Sequence, residues 1–278
     1  MPYIKRAAAP TLHYAIDDFT DPWKNAPYLI LQHGNGRSAQ FWYSWVPYLS
    51  RFYKVVRPDV RGLGLSSADF DIANDFTLDA CIDDARVIID ELGAESVHFC
   101  GESMGGMIGM GLAAAHPSRV RTLTLVSTPV SINERGKVTF ADKKPGEDQD
   151  KSVDAWLEAS NRNMRFPADA DPGLIAWYNA EFKKNNRAVQ AAMGALANRA
   201  DVGSFLRRIK SPVLGLYPTA GPLTTPEQEQ TLTSSIADFR MVHMPAAYHK
   251  IQLLFPAACA NHLLHFIAQH DGLPCREN

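Results

Sequence analysis

Apolar residues recur in two periods along this chain, and the change of period marks its elements. Leu12, Tyr14 and Ile16 alternate with more polar neighbours, predicting a half-exposed strand. Tyr28-Leu29-Ile30-Leu31-Gln32-His33 is almost continuously apolar, as in a strand covered on both faces. Lys54 to Arg57, Val97 to Cys100 and Arg121 to Val126 predict three further strands, the last rich in β-branched residues. Between them the spacing becomes helical. Leu78, Ile82, Ala85, Ile88, Ile89 and Leu92 fall on one face, with Thr77 as N-cap and Gly93 as the stop. Strands alternating with helices predict a parallel sheet with helices on both faces.

After Val126 the strand period disappears. Lys143 to Asp150 is polar and predicts a loop, and helical patterns follow over Trp156–Met164, Leu174–Lys184 and Val189–Arg199. Pro212–Tyr217 and Phe239–His243 restore the strand pattern, and Ile251–His270 predicts an amphipathic helix broken near Pro256. A helical insertion within one α/β domain accounts for this order, with residues 1–128 and 205–278 as the core and 129–204 as the insertion.

Composition narrows the function. With 46% apolar residues among 278, the chain has material for a core, and 28 basic against 30 acidic residues leave a net charge of −2. Such a balance argues against partners held by bulk charge, nucleic acid or anionic membrane. Cys81, Cys100, Cys259 and Cys275 form no CxxC pair, which predicts neither disulfides nor zinc and suits a reducing, cytoplasmic setting. No run approaches the roughly 18 apolar residues of a membrane span. A small-molecule substrate is the expected partner, and self-association is left open.

Gly101-Glu102-Ser103-Met104-Gly105-Gly106 follows one predicted strand and opens a helix, Met104–Ala115. A strand that turns sharply into a helix strains the serine backbone and lifts its hydroxyl above the sheet edge, and glycines two residues either side remove colliding side chains. The plain alternative is a glycine-rich turn with a buried serine. His33-Gly34-Asn35-Gly36 ends the preceding apolar strand; there a backbone N–H of Asn35, with that of Met104, forms an oxyanion hole unless the segment is merely a turn. Of nine histidines, His249 alone combines a loop position with a place between the last strand and the last helix, where the base of such a site belongs.

These segments, together with Asp59-Val60-Arg61-Gly62-Leu63-Gly64-Leu65-Ser66, resemble the α/β-hydrolase superfamily, and within it the small enol-lactone hydrolases, esterases and meta-cleavage C–C hydrolases. The resemblance implies a mostly parallel central sheet with a helical cap inserted after the sixth strand, a Ser103 nucleophile, a His249 base and no cofactor. It also implies that Asp59 and Arg61 tie down a turn and take no part in the chemistry. One feature departs from the family. The positions where it places a triad acid are Gly221 and the Ser127-Thr128-Pro129 segment, neither with a carboxylate. Three arrangements remain open: a displaced acid, Glu227 or Glu134; a Ser103–His249 dyad oriented by Ser127, Thr128 or water; or loss of hydrolysis in favour of lyase or cofactor-free oxygenase chemistry, or of ligand binding without turnover. The insertion would choose the substrate, with Arg162 and Arg165 as candidates for a substrate carboxylate and Trp42 and Trp177 for the pocket wall. A carboxylated or aromatic-derived ester, enol-lactone, amide or β-diketone is the expected substrate.

Overall fold

The computed structural model describes residues 2–7, 9–132 and 149–272, with no side chains described over 149–152. Eight strands form one sheet in the order β1-β2-β4-β3-β5-β6-β7-β8. They are β1 (Tyr3–Arg6), β2 (Ala9–Asp17), β3 (Tyr28–Gln32), β4 (Lys54–Pro58), β5 (Val97–Glu102), β6 (Val120–Val126), β7 (Val213–Pro218) and β8 (Phe239–Met244). The first two pairings, β1 with β2 and β2 with β4, are antiparallel, and every pairing from β4 to β8 is parallel. The predicted strands are all present; β1 is an addition, too short and polar for its period to show.

Period-2 alternation divides the central strands between two cores. On one face Ile30, Phe99, Leu123, Leu125 and Val213 pack with helices α3 (Leu78–Glu91), α4 (Met104–Ala115) and Leu232 of α8 (Pro226–Ser235). On the other, Leu29, Leu31, Cys100, Val126 and Leu214 pack with α1 (Val46–Leu49) and α10 (Pro256–Asp271). Caps set the helix ends as the sequence predicts. The Thr77 side chain accepts from the Ala80 N–H at 3.1 Å, and Gly93 follows α3 at φ +62°. The short α2 (Ile72–Asp75) precedes α3, and α9 (Ile251–Leu254) precedes α10, the break falling at Pro256.

Between β6 and β7 come α5 (Gln149–Ser160), α6 (Pro172–Lys183) and α7 (Arg187–Arg199). Among the described residues this stretch holds no strand, only an isolated bridge from Ser131 to Asp201. These helices are pinned to the loops that leave the strands at their C-terminal ends. Tyr178 packs on Phe41 and Phe166, and the Gly36 N–H donates to the Met193 sulfur at 3.5 Å. At the junction of α5 and α6 the chain widens over Asn161–Arg165, with the Phe166 N–H donating to the Asn161 carbonyl five residues back at 3.0 Å. Wide turns of this kind collect at functional sites. Here the Met164 carbonyl accepts the His249 N–H at 2.7 Å, so the insertion grips the loop after β8 directly. Most of the predicted loop Lys143–Asp150 lies outside the described residues.

Candidate active site

Ser103 sits between β5 and α4 with φ +53° and ψ −119°, a conformation that a side-chain-bearing residue holds only under constraint. The constraint is close packing of backbone. A Cβ at Gly101 would lie 2.3 Å from the Gly105 carbonyl oxygen, and one at Gly105 would lie 2.3 Å from that of Gln32. The Ser103 N–H donates to Val126 of β6 at 3.0 Å, and its carbonyl accepts from Gly106 at 3.0 Å and Met107 at 3.3 Å. Its hydroxyl is thereby presented at the start of α4, where the Met104 N–H is one of the donors a helix leaves unpaired.

Asn35, Ser103, Met104 and His249 line one small cavity, together with Arg37, Met164, Arg165 and Lys250. The cavity thus unites the serine, the histidine and both residues expected to form the oxyanion hole. Asn35 and Met104 flank Ser103 from the β3 loop and the first turn of α4, the two sources such a hole draws on. Ser103 and His249 face this cavity together, and among the described residues no hydrogen bond joins the Ser103 hydroxyl to the imidazole.

The carboxylate that faces His249 is Glu102, the residue before the nucleophile. Its Oε1 lies 3.3 Å from His249 Nε2 and 2.6 Å from Lys250 Nζ, and all three side chains are buried. Gly34 makes room for it: a Cβ there would stand 2.4 Å from Glu102 Oε2. Burial opposes ionisation of Glu102, yet Lys250 and His249 together hold it far below the usual carboxylate range. Burial pushes His249 down to about 4, with Lys250 and Arg165 pushing the same way and Glu102 resisting. A neutral imidazole therefore faces an anionic carboxylate across the physiological range.

The expected acids and several expected binding residues fall elsewhere. Glu227 is exposed in the first turn of α8, its carboxyl tied to Thr225, where the helix terminus favours a negative charge. Glu134 lies outside the described residues. The Thr128 hydroxyl bonds to the carbonyls of Gly101 and Val126 at 3.3 Å each, packing beneath Gly106 and outside the cavity lining. Arg162 is 73% exposed and paired with Glu158 one turn back, so it is a surface charge. Trp42 belongs to the core under the sheet, edge-on to Trp45 at 4.9 Å, because the chain turns it inward after the β3 loop. Trp177 packs on Phe41 and Tyr43, each at 5.0 Å, outside the cavity lining. Arg165 does reach the cavity wall, tied to Ser160 and lying over Trp156 at 4.7 Å.

Asp59 accepts from His13, Ala39 and Leu65, and Arg61 forks onto Asp84 at 2.6 and 2.7 Å, so both act as the scaffold the sequence implied. His33 is likewise structural: its Nε2 accepts from the Val60 N–H at 3.0 Å.

A family model of the alpha/beta hydrolase fold matches residues 27–256, spanning the elbow, the cavity and the histidine loop. The chain belongs to the α/β-hydrolase family. It is a hydrolase on that footing, and the family's relatives bracket it. It is 27% identical to 3-oxoadipate enol-lactonase 1 of Acinetobacter baylyi over 73% of this chain and 74% of that protein. It is 25% identical to the provisionally named carbamate hydrolase RutD of Pseudomonas savastanoi pv. phaseolicola, over 87% of this chain and 94% of the relative. The crystal structure of the enol-lactonase from Burkholderia xenovorans superposes with a TM-score of 0.83 at 28% identity, covering 96% of this chain and all 100% of the other. Within this α/β hydrolase, the sequence signals pointed to Ser103, His249, Asn35 and Met104, and the structure brings these four around one cavity. They missed Glu102, which occupies a variable position of the serine motif; its one trace is Lys250, a lysine placed directly after the histidine.

Proposed function

We propose that this α/β hydrolase cleaves a small ester, enol-lactone or carbamate by acyl transfer through Ser103. The Ser103 oxygen attacks the carbonyl carbon while His249 takes the hydroxyl proton. The N–H groups of Asn35 and Met104 receive the charge that develops on the carbonyl oxygen. Collapse breaks the bond to the leaving group, which departs with the proton held by His249. Water then attacks the acyl-serine, gives its proton to the same imidazole, and releases the acid and free Ser103. The imidazolium formed in each half-reaction lies 3.3 Å from Glu102, whose charge offsets it as the acid of a serine triad does.

The observation that carries this reading is Ser103 at φ +53° in a cavity whose wall includes a neutral His249 backed by an ionised carboxylate. The enol-lactonase and carbamate-hydrolase relatives support the substrate range. Ser103→Ala is expected to lower kcat on an activated ester by at least about 10⁴-fold while leaving the circular dichroism spectrum intact. Wild-type protein is expected to take up one fluorophosphonate label, mapped to Ser103 by mass spectrometry. Turnover by Ser103→Ala at the wild-type rate would refute the acyl-serine.

A further inference from the structure

The charges around the cavity do not balance. Arg37, Arg165 and Lys250 line it, and the carboxylate acting on this group is Glu102. Lys250 takes that carboxylate at 2.6 Å, and Arg165 is tied to Ser160 and Asn161. Arg37 is left over. It is 2% exposed, and among the described residues its Nε and Nη1 have no hydrogen-bond partner, its Nη2 alone donating, to the Tyr178 hydroxyl. Its Cζ lies 3.9 Å from the centre of the Tyr178 ring, 4.8 Å from Phe182 and 5.2 Å from Phe41. Aromatic faces stabilise the cation and fix its plane but satisfy none of its N–H groups. Leaving buried, charged donors empty is expensive, so such a group persists where something binds to it.

We propose that Arg37 is the residue that receives a carboxylate carried by the substrate, setting a preference for acyl groups with a free acid at the end remote from the scissile carbonyl. The planar fork of a guanidinium, held flat among three rings, matches a carboxylate. Its cavity is shared with Ser103 and the Asn35 loop, so one small acyl group can meet Ser103 with its carbonyl and Arg37 with its far end. Arg37 comes from the same loop as Asn35, two residues on, and a substrate anchored there is registered directly against the oxyanion donors. Arg162, on the surface, has no such access. The inference rests on the hydrolase reading above and narrows its substrate class.

The test compares p-nitrophenyl hemisuccinate, which carries a free carboxylate, with the neutral p-nitrophenyl butyrate. For the wild-type protein kcat/KM is expected to favour the hemisuccinate. In Arg37→Gln the ratio of the two kcat/KM values is expected to fall at least tenfold, chiefly through KM for the hemisuccinate. Arg37→Lys, which keeps the charge without the fork, should fall between them. A ratio unchanged in Arg37→Gln overturns the proposal. If that variant does not fold, the wild type decides alone: glutarate should inhibit butyrate-ester hydrolysis competitively where glutaramide does not, and equal inhibition by both, or by neither, overturns it. If neither ester is turned over and Ser103 takes no fluorophosphonate, the hydrolase reading has failed. Arg37 is then judged by calorimetry with glutarate, where wild-type binding lost in Arg37→Gln sustains the anchor and no wild-type binding refutes it.

Discussion

At the level of single residues, the site turns on two buried charges and a neutral imidazole in contact. Glu102 is the anion, Lys250 keeps it ionised, and His249 stays neutral beside it. Since burial and Lys250 hold the imidazole down to about 4 against an ordinary value of 6.5, the acid limb of kcat/KM should lie well below the usual histidine range. Measured between pH 3.5 and 8, activity is expected to be flat through pH 6 and to fall as His249 takes a proton near about 4. Lys250→Met removes a cation that pushes His249 down, so the limb should move to higher pH. A limb that stayed in place, or moved to lower pH, would contradict the charge arrangement.

One scale up, the nucleophile is held by the fit of α4 against β3 and β5. The helix is buried along nearly its whole length, and glycines let its first turn touch neighbouring backbone. A Cβ at Gly105 would meet the carbonyl oxygens of Gln32 at 2.3 Å and His33 at 2.6 Å, atoms of backbone that cannot swing aside. Gly105→Ala is therefore expected to destabilise the protein by about 1–3 kcal/mol, read as a lower urea midpoint, and to slow turnover by displacing Ser103. Unchanged stability would show that β3 yields more easily than its place in the sheet implies. The elements themselves were legible beforehand because their causes are local. Thr77 and Gly93 bracket α3 by capping and by positive φ, and the near-continuous apolar run from Tyr28 to Leu31 marks a strand with two covered faces. Among the strands only β1 escaped, four residues whose pairing with β2 supplies what their composition does not.

For the whole molecule, the buried site couples folding to pH. His249 and His33 are both held neutral by burial, so their folded-state values lie below 6.5. The unfolded chain then binds more protons than the folded one from about pH 6.5 down to about 4, and stability is lost as pH falls through that window. Glu102, also depressed, adds to the loss below its ordinary value of 4.5. The urea midpoint should therefore be higher at pH 7 than at pH 5 and drop further by pH 4; a midpoint independent of pH would mean these groups are not buried in solution. No helix among the described residues is long and apolar enough to cross a membrane.

Sequence alone determined what neighbouring residues dictate to one another: the alternating strands, the capped helices, the glycine-flanked turn that strains Ser103, and the loop that carries His249. Those features depend on sterics and hydrogen bonds within a few residues, and they are written in spacing. Tertiary structure decided which charges meet. Glu102 and Lys250 are 148 positions apart, and Arg37 and Tyr178 are 141 apart, yet each pair is in contact. No periodicity announces such pairs, because burial and the crossing of loops over the sheet edge bring them together. The same crossing sent Glu227 and Arg162 to the surface, where water leaves them without a part in the site.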